Sequence, residues 1–223
     1  MMTILNKVLG LACLLIGLAS CQKGDQYYFD YKNETKTFDG TILDYLDSQP
    51  GVFDSLILTL DRVAELRTAL KDDSKQYTLF AVTNRSFEIA IKSLNTTRKL
   101  ANKKPLYIED LDLIEVDSIL SRYVFQGMYD TDYLSPFVEG QTIESVRYNY
   151  KMHMQYEVTN ASGLVGGGQQ QIELSDVNNS IFQRYWKSIN TASVNLKTKN
   201  GVIHILSSGH DFGFNKLTTK FAQ

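Results

Sequence analysis

The chain has 223 residues, 43% of them hydrophobic and 11% aromatic, which is enough apolar surface to bury the core of one domain and too much for a disordered chain. Its net charge is −2, without the basic stripe that a nucleic-acid binder needs. Of its two cysteines, Cys13 lies in an N-terminal apolar run and Cys21 just after it. A mature domain that loses Cys13 has no disulfide framework, no cysteine nucleophile and no thiolate metal site.

Lys7 is followed by VLGLACLLIGLA, about 12 apolar residues where a bilayer span needs roughly 20. That length suits the core of an export signal, so residues 1–20 are expected to be removed. Leu18, Ala19, Ser20 and Cys21 resemble the lipobox of bacterial lipoproteins, which implies a lipid on the Cys21 thiol and stable membrane anchoring. The alternative is an ordinary signal peptide with a cysteine after its cleavage site. Residues 21–37 then read as an acylated start and a polar tether, in which Tyr27, Tyr28, Phe29 and Tyr31 form an edge strand on the domain or rest at the membrane interface.

Thr41, three residues before Asp44, forms a capping-box pattern for a short helix stopped by Pro50-Gly51. Phe53, Leu56, Ile57, Leu60, Val63, Ala64 and Leu70 keep near-helical spacing and predict one longer amphipathic helix. YTLFAV, from Tyr77 to Val82, reads as a buried strand. Thr83 and Asn84 are N-cap residues for a helix carrying Phe87, Ala90, Ile91 and Leu94. The stretch from Asn95 to Pro105 reads as a basic loop or frayed helix end. Asp117 opens a short helix that runs into a strand ending at Gly127.

From Val146 to Val158 apolar and polar residues alternate without a fault, the pattern of a half-exposed antiparallel strand, bent, bulged or shared because of its length. Gly163 and Gly166 to Gly168 read as a turn before the strand QQQIEL. Asn200-Gly201 lies between two alternating runs and predicts a tight hairpin. Helices early and strands later give an α+β layout.

Two separated stretches carry a family resemblance. YTLFAVTNRSF, with Thr78, Phe80, Ala81, Asn84 and Phe87, resembles the first signature of the fasciclin domain, and NGVIHIL, with Asn200, Gly201, Ile203 and His204, resembles the second. ILSRYVFQGMY resembles the family's central segment, and Gly140 to Ile143 its following turn and strand. The match spans residues 38–212 and leaves 213–223 as a C-terminal tail. It implies a wedge-shaped β-sandwich with helices packed on one side, in a fasciclin-like lipoprotein of Gram-negative bacteria. Val82 stands where the family usually has proline, and Arg122-Tyr123 where it has a tyrosine-histidine pair associated with adhesion in animal members. Integrin-type binding is therefore not carried over. The stretches 95–104 and 149–190 are longer than is usual in the family.

Little in the chain suggests catalysis, and no cofactor is expected. His153, His204 and His210 have no partners at metal-ligand spacing. His153 falls on the polar face of the alternating strand and reads as a surface residue, while His204 reads as a structural hydrogen-bonding residue. His210-Asp211 in a strand would point to opposite faces, and no GxSxG elbow accompanies them. GLVGGG matches neither phosphate-binding fingerprint. Asp72-Asp73 and Asp110 with Asp112 read as surface carboxylates.

Binding remains. Trp186 is the only tryptophan, beside Tyr185 and Arg184, and such residues recur at binding hot spots; these three form the candidate binding surface unless the rings fill the core. The expectation is a non-enzymatic adhesion or binding module anchored at the envelope, in the outer membrane, with a protein partner. The alternative is an accessory polysaccharide binder serving an outer-membrane glycan uptake system.

Overall fold

The capping-box pattern at Thr41 is realised: its hydroxyl accepts the Asp44 N–H while the Asp44 carboxylate accepts the Thr41 N–H at 2.8 Å, which starts helix α1 (Ile42–Asp47). A computed structural model describes residues 36–159 and 168–222. Cys21, the tether aromatics and Gly163, Gly166 and Gly167 lie outside the described residues.

The single amphipathic helix expected after Phe53 is two, α2 (Asp54–Arg62) and α3 (Ala64–Lys71), broken at Val63 with φ −110° and ψ 74°. Leu56, Leu60, Val63, Leu66 and Leu70 are all buried, so the apolar spacing continues across a break that only the backbone makes. The Arg62 guanidinium fastens the end of α2 to the Ile108 and Leu111 carbonyls.

Strand β1 (Tyr77–Ala81) is buried along its whole length, as its β-branched and aromatic composition predicts. Helix α4 (Asn84–Leu100) runs six residues into the stretch expected to be a basic loop. Arg98 secures it there, donating to the Lys104 carbonyl at 2.7 Å and the Phe221 carbonyl at 2.6 Å. Helix α5 (Leu113–Leu120), capped by the Asp112 side chain, and a 3-10 turn (Ser121–Tyr123) lead into strand β2 (Val124–Gln126). Helix α6 (Thr131–Leu134) and strands β3 (Gln141–Glu144), β4 (Lys151–Val158), β5 (Gln170–Asp176), β6 (Lys187–Thr198) and β7 (Gly201–Leu206) follow.

These strands make one sheet in the order β2-β1-β7-β6-β5-β4-β3, antiparallel except for the β1–β7 pair. Register shifts in β6 between Thr191 and Leu196 bend it so that it serves both halves. The Val146 N–H, just past β3, donates to the Val124 carbonyl on β2 at 2.9 Å, drawing the two edges together. The expected two-layer wedge thus takes the form of one barrel-like, nearly closed sheet with helices added, an α+β fold with Phe80, Phe125, Met152, Leu174 and Ile203 in its core.

Three further expectations are corrected. The alternating run from Val146 is not all strand: Tyr148 and Asn149 take left-handed φ of 61° and 50°, and the Ser145 N–H reaches the Tyr150 carbonyl, so the first five residues form the β3–β4 turn. Residues 213–223, read as a tail, contain helix α7 (Lys216–Phe221), whose buried Leu217 and Thr218–Ser93 hydrogen bond seat it on α4. Lys36 and Thr37, assigned to the tether, pair with β6 at Lys197.

Candidate functional site

The fasciclin-like signature residues are occupied in holding the fold. The Thr78 hydroxyl donates to the Gly127 carbonyl at 2.7 Å and accepts the Tyr129 N–H at 2.9 Å, closing the turn after β2. Phe80 packs edge-on against Phe125 and beside the His204 ring, and Ala81 pairs with Ile205. Phe53, at the start of α2, has no capping side chain of its own. Asn84 supplies one across 29 residues of sequence: its Oδ1 accepts the Ser55 N–H at 2.8 Å and its Nδ2 donates to the Gly51 carbonyl and Asp54 carboxylate. Phe87 stacks on Phe212 at 4.1 Å.

At the second signature the expected hairpin forms, yet Asn200 and Gly201 do more than turn the chain. The buried Asn200 side chain accepts the Ile42 N–H at 2.8 Å and donates to the Leu70 and Asp72 carbonyls at 2.9 and 3.0 Å, tying the start of α1 to the end of α3. A Cβ on Gly201, at φ +151°, would overlap the Tyr77 carbonyl oxygen of the neighbouring parallel strand, so only glycine fits. Ile203 is fully buried and pairs with Leu79.

His204 and His210 are both held by bonds inside the fold. His204 Nδ1 accepts the Asn195 N–H at 3.2 Å and its Nε2–H donates to the Tyr129 carbonyl at 3.0 Å, which fixes a neutral ring; burial lowers its pKa from 6.5 to about 4. The Tyr123 hydroxyl accepts the Gly213 N–H at 2.6 Å and donates to His210 Nε2 at 2.7 Å, and burial lowers the His210 pKa to about 3. The same burial raises the Tyr123 pKa well above its usual 10. His210 lies in a loop, not in a strand, and half-burial raises the pKa of its neighbour Asp211.

His153, read as a surface residue, is only 6% exposed. Glu139 and Gly140 cross over it, with its Nε2–H donated to the Glu139 carbonyl at 2.8 Å, and Trp186 lies against the ring at 4.9 Å. The outer face of β4 is covered here, which alternation along one strand cannot reveal. Arg122, at a departure from the family pattern, is buried: it pairs with Asp176 at 3.3 Å, donates to the Ser118 carbonyl and lies over the Tyr150 ring at 3.7 Å.

Trp186, Tyr185 and Arg184 come together on the loop between β5 and β6. The Asp176 carboxylate accepts the Asn178 N–H, and Asn178 and Asn179 take left-handed φ of 50° and 55°, residue types that tolerate it. A 3-10 turn (Gln183–Tyr185) follows, and the Trp186 Nε1–H donates to the Ser180 carbonyl at 2.8 Å, bracing the loop across its base. Trp186 is half-buried. Ile181 is 87%, Phe182 55% and Tyr185 50% exposed. The Arg184 guanidinium lies 5.2 Å from the Phe182 ring and 4.8 Å from the Tyr185 ring, a cation–π arrangement in the corner between them. Ile181 and Phe182 were not singled out by sequence reading, although adjacent exposed apolar residues in a polar loop were the available signal.

No protein-family model matches the chain, and no curated protein matches it. Among solved structures, it is similar to an insect protein described as "a FAS1 Domain Pair from the Insect Cell Adhesion Molecule Fasciclin I", with TM-score 0.53 and 16% sequence identity over 78% of this chain and 50% of that one. At that identity the likeness establishes the fold. The chain spans about half the length of that domain pair, and its fold is fasciclin-like.

Proposed function

We propose that the chain is a non-enzymatic binding and adhesion module, held at the bacterial envelope, in the outer membrane, by a lipid on Cys21 and meeting envelope or extracellular proteins through the loop from Asn178 to Lys187. One observation carries this reading: the buried His204 and His210 rings are spent on internal hydrogen bonds, whereas Ile181, Phe182, Arg184 and Tyr185 stand in solvent on a braced loop. Aromatic rings and arginine on a preformed loop are the residue types that concentrate binding energy, and the likeness to a cell adhesion molecule is compatible with that use.

A photo-crosslinker at Gln183 in living cells, compared with one at the exposed Lys71 at the end of α3, tests both parts. Protein adducts specific to position 183, with the Cys21→Ala protein released from membranes, are the expected outcome. Equal adducts at both positions, or membrane retention and acylation without Cys21, would reject the loop or the anchor respectively.

A second reading has its own observation. The Trp186 indole is held against His153 and fixed by its own N–H, beside the exposed Tyr185 ring. Fixed aromatic faces of this kind suit the apolar faces of sugar rings, which favours an accessory polysaccharide binder of a glycan uptake system.

A further inference from the structure

The loop carries a charge pattern that narrows what it can bind. Between Val177 and Ser188 there are two cations, Arg184 and Lys187, and no carboxylate. Both are exposed, and neither forms an ion pair with a described carboxylate. Asp176, the nearest acidic residue in sequence, is buried and occupied by Arg122, with Lys216 at 3.9 Å. Among the described residues the Arg184 guanidinium lies against the Phe182 and Tyr185 rings and makes no ion pair, so its planar N–H edge keeps hydrogen-bonding capacity for a ligand. Several other cations of the domain are paired: Arg67 with Asp61, Arg147 with Glu65 and Asp117, Lys199 with Asp39, Lys220 with Glu115. In a chain of net charge −2, this loop thus presents two cations that form no ion pair with a described carboxylate beside the exposed rings of Phe182 and Tyr185.

We infer that this loop is a subsite for an acidic polysaccharide bearing uronate sugars, an inference that rests on the polysaccharide reading above. The rings of Tyr185 and Trp186 supply faces for sugar stacking, and Gln183 and Asn179 are exposed amides beside them. Arg184, positioned by two rings, offers a planar fork that matches a planar carboxylate in a bidentate pair. Lys187, at the start of β6, adds a second positive charge for a neighbouring uronate along the chain.

The test uses the full-length protein in detergent, titrated with polygalacturonate and alginate, with fully methyl-esterified polygalacturonate as the uncharged counterpart and dextran sulfate as the sulfated one, followed by calorimetry and Trp186 fluorescence. The expected result is saturable binding to at least one uronate polymer. That binding should weaken at least tenfold for the methyl ester, for 500 mM salt and for Arg184→Gln, while Lys71→Gln binds as wild type. Equal binding of the methyl ester would overturn the acidic preference and leave a sugar-binding loop. Stronger binding of dextran sulfate would overturn the choice of carboxylate. Binding to none of the polymers would overturn the polysaccharide reading itself, and photo-crosslinks from position 183 to a protein would then stand for the other one.

Discussion

The two signature segments and the β5–β6 loop use the same kinds of residue in opposite ways. Asn200, Asn84, Thr78 and His204 are polar side chains whose bonds all go to backbone or neighbouring side chains inside the fold. Arg184, Tyr185 and Phe182 are organised just as closely, but their hydrogen-bonding edges and ring surfaces face water. In this fold the family-like residues hold the architecture, and the exposed rings and cations of the β5–β6 loop lie in a segment that no signature covers.

The largest effect follows from breaking the signature side. Asn200→Ala would leave the Ile42 N–H and the Leu70 and Asp72 carbonyls without their partner. At about 1–3 kcal/mol per unsatisfied buried group, partly relieved by relaxation, the expected cost is about 3–5 kcal/mol. For a domain of this size that lowers Tm by on the order of 10 °C. A shift within 2 °C of wild type, in a thermal melt at pH 7.5, would mean that α1 and α3 are held by other contacts. (The threshold of 2 °C corresponds to roughly 0.5–1 kcal/mol.)

An intermediate effect comes from the buried histidines. Both fold with pKa values below 6.5, about 4 for His204 and about 3 for His210, because burial disfavours the imidazolium. The unfolded chain therefore binds more protons than the folded one. The stabilisation is complete above about pH 6.5, falls as pH drops through that value, and stops changing below about 4 for His204 and about 3 for His210. Between pH 6 and 4.5 each histidine contributes a slope of about 1.4 kcal/mol per pH unit. Denaturant melts of wild type and His210→Gln across this window should show the variant with roughly half the histidine-dependent slope. Parallel curves would show that His210 opens to water in the native state.

The sequence made the scaffold legible where one element's local chemistry decides its structure. Thr41 and Asp44 cap α1 as their spacing predicts, and Tyr77 to Ala81 is a buried strand because β-branched and aromatic residues fill it. It was illegible where distant segments decide. Val63 breaks a helix whose apolar spacing never falters, and the run from Val146 alternates straight through a turn made by Tyr148 and Asn149. His153 was placed on a wet face because alternation assigns sides to a strand and says nothing about a crossing strap at Glu139 and Gly140. Arg184, Tyr185 and Trp186 could be named from composition, but their arrangement depends on Asp176 bonding Asn178 and on Trp186 reaching Ser180.

The smallest expected effect on stability sharpens the comparison most. Arg184→Gln removes a group that, among the described residues, makes no ion pair and two ring contacts, so the expected change is within about 0.5 kcal/mol. Trp186→Ala, at a half-buried ring, loses the Ser180 hydrogen bond and the His153 contact and is expected to cost about 2–3 kcal/mol. The boundary between scaffold and contact surface then runs between Tyr185 and Trp186, with the indole belonging to both. Urea melts of the two variants locate it. If Arg184→Gln instead cost as much as Trp186→Ala, the guanidinium would be holding the loop in place, and its free N–H edge would be a by-product of packing with no reserve for a ligand.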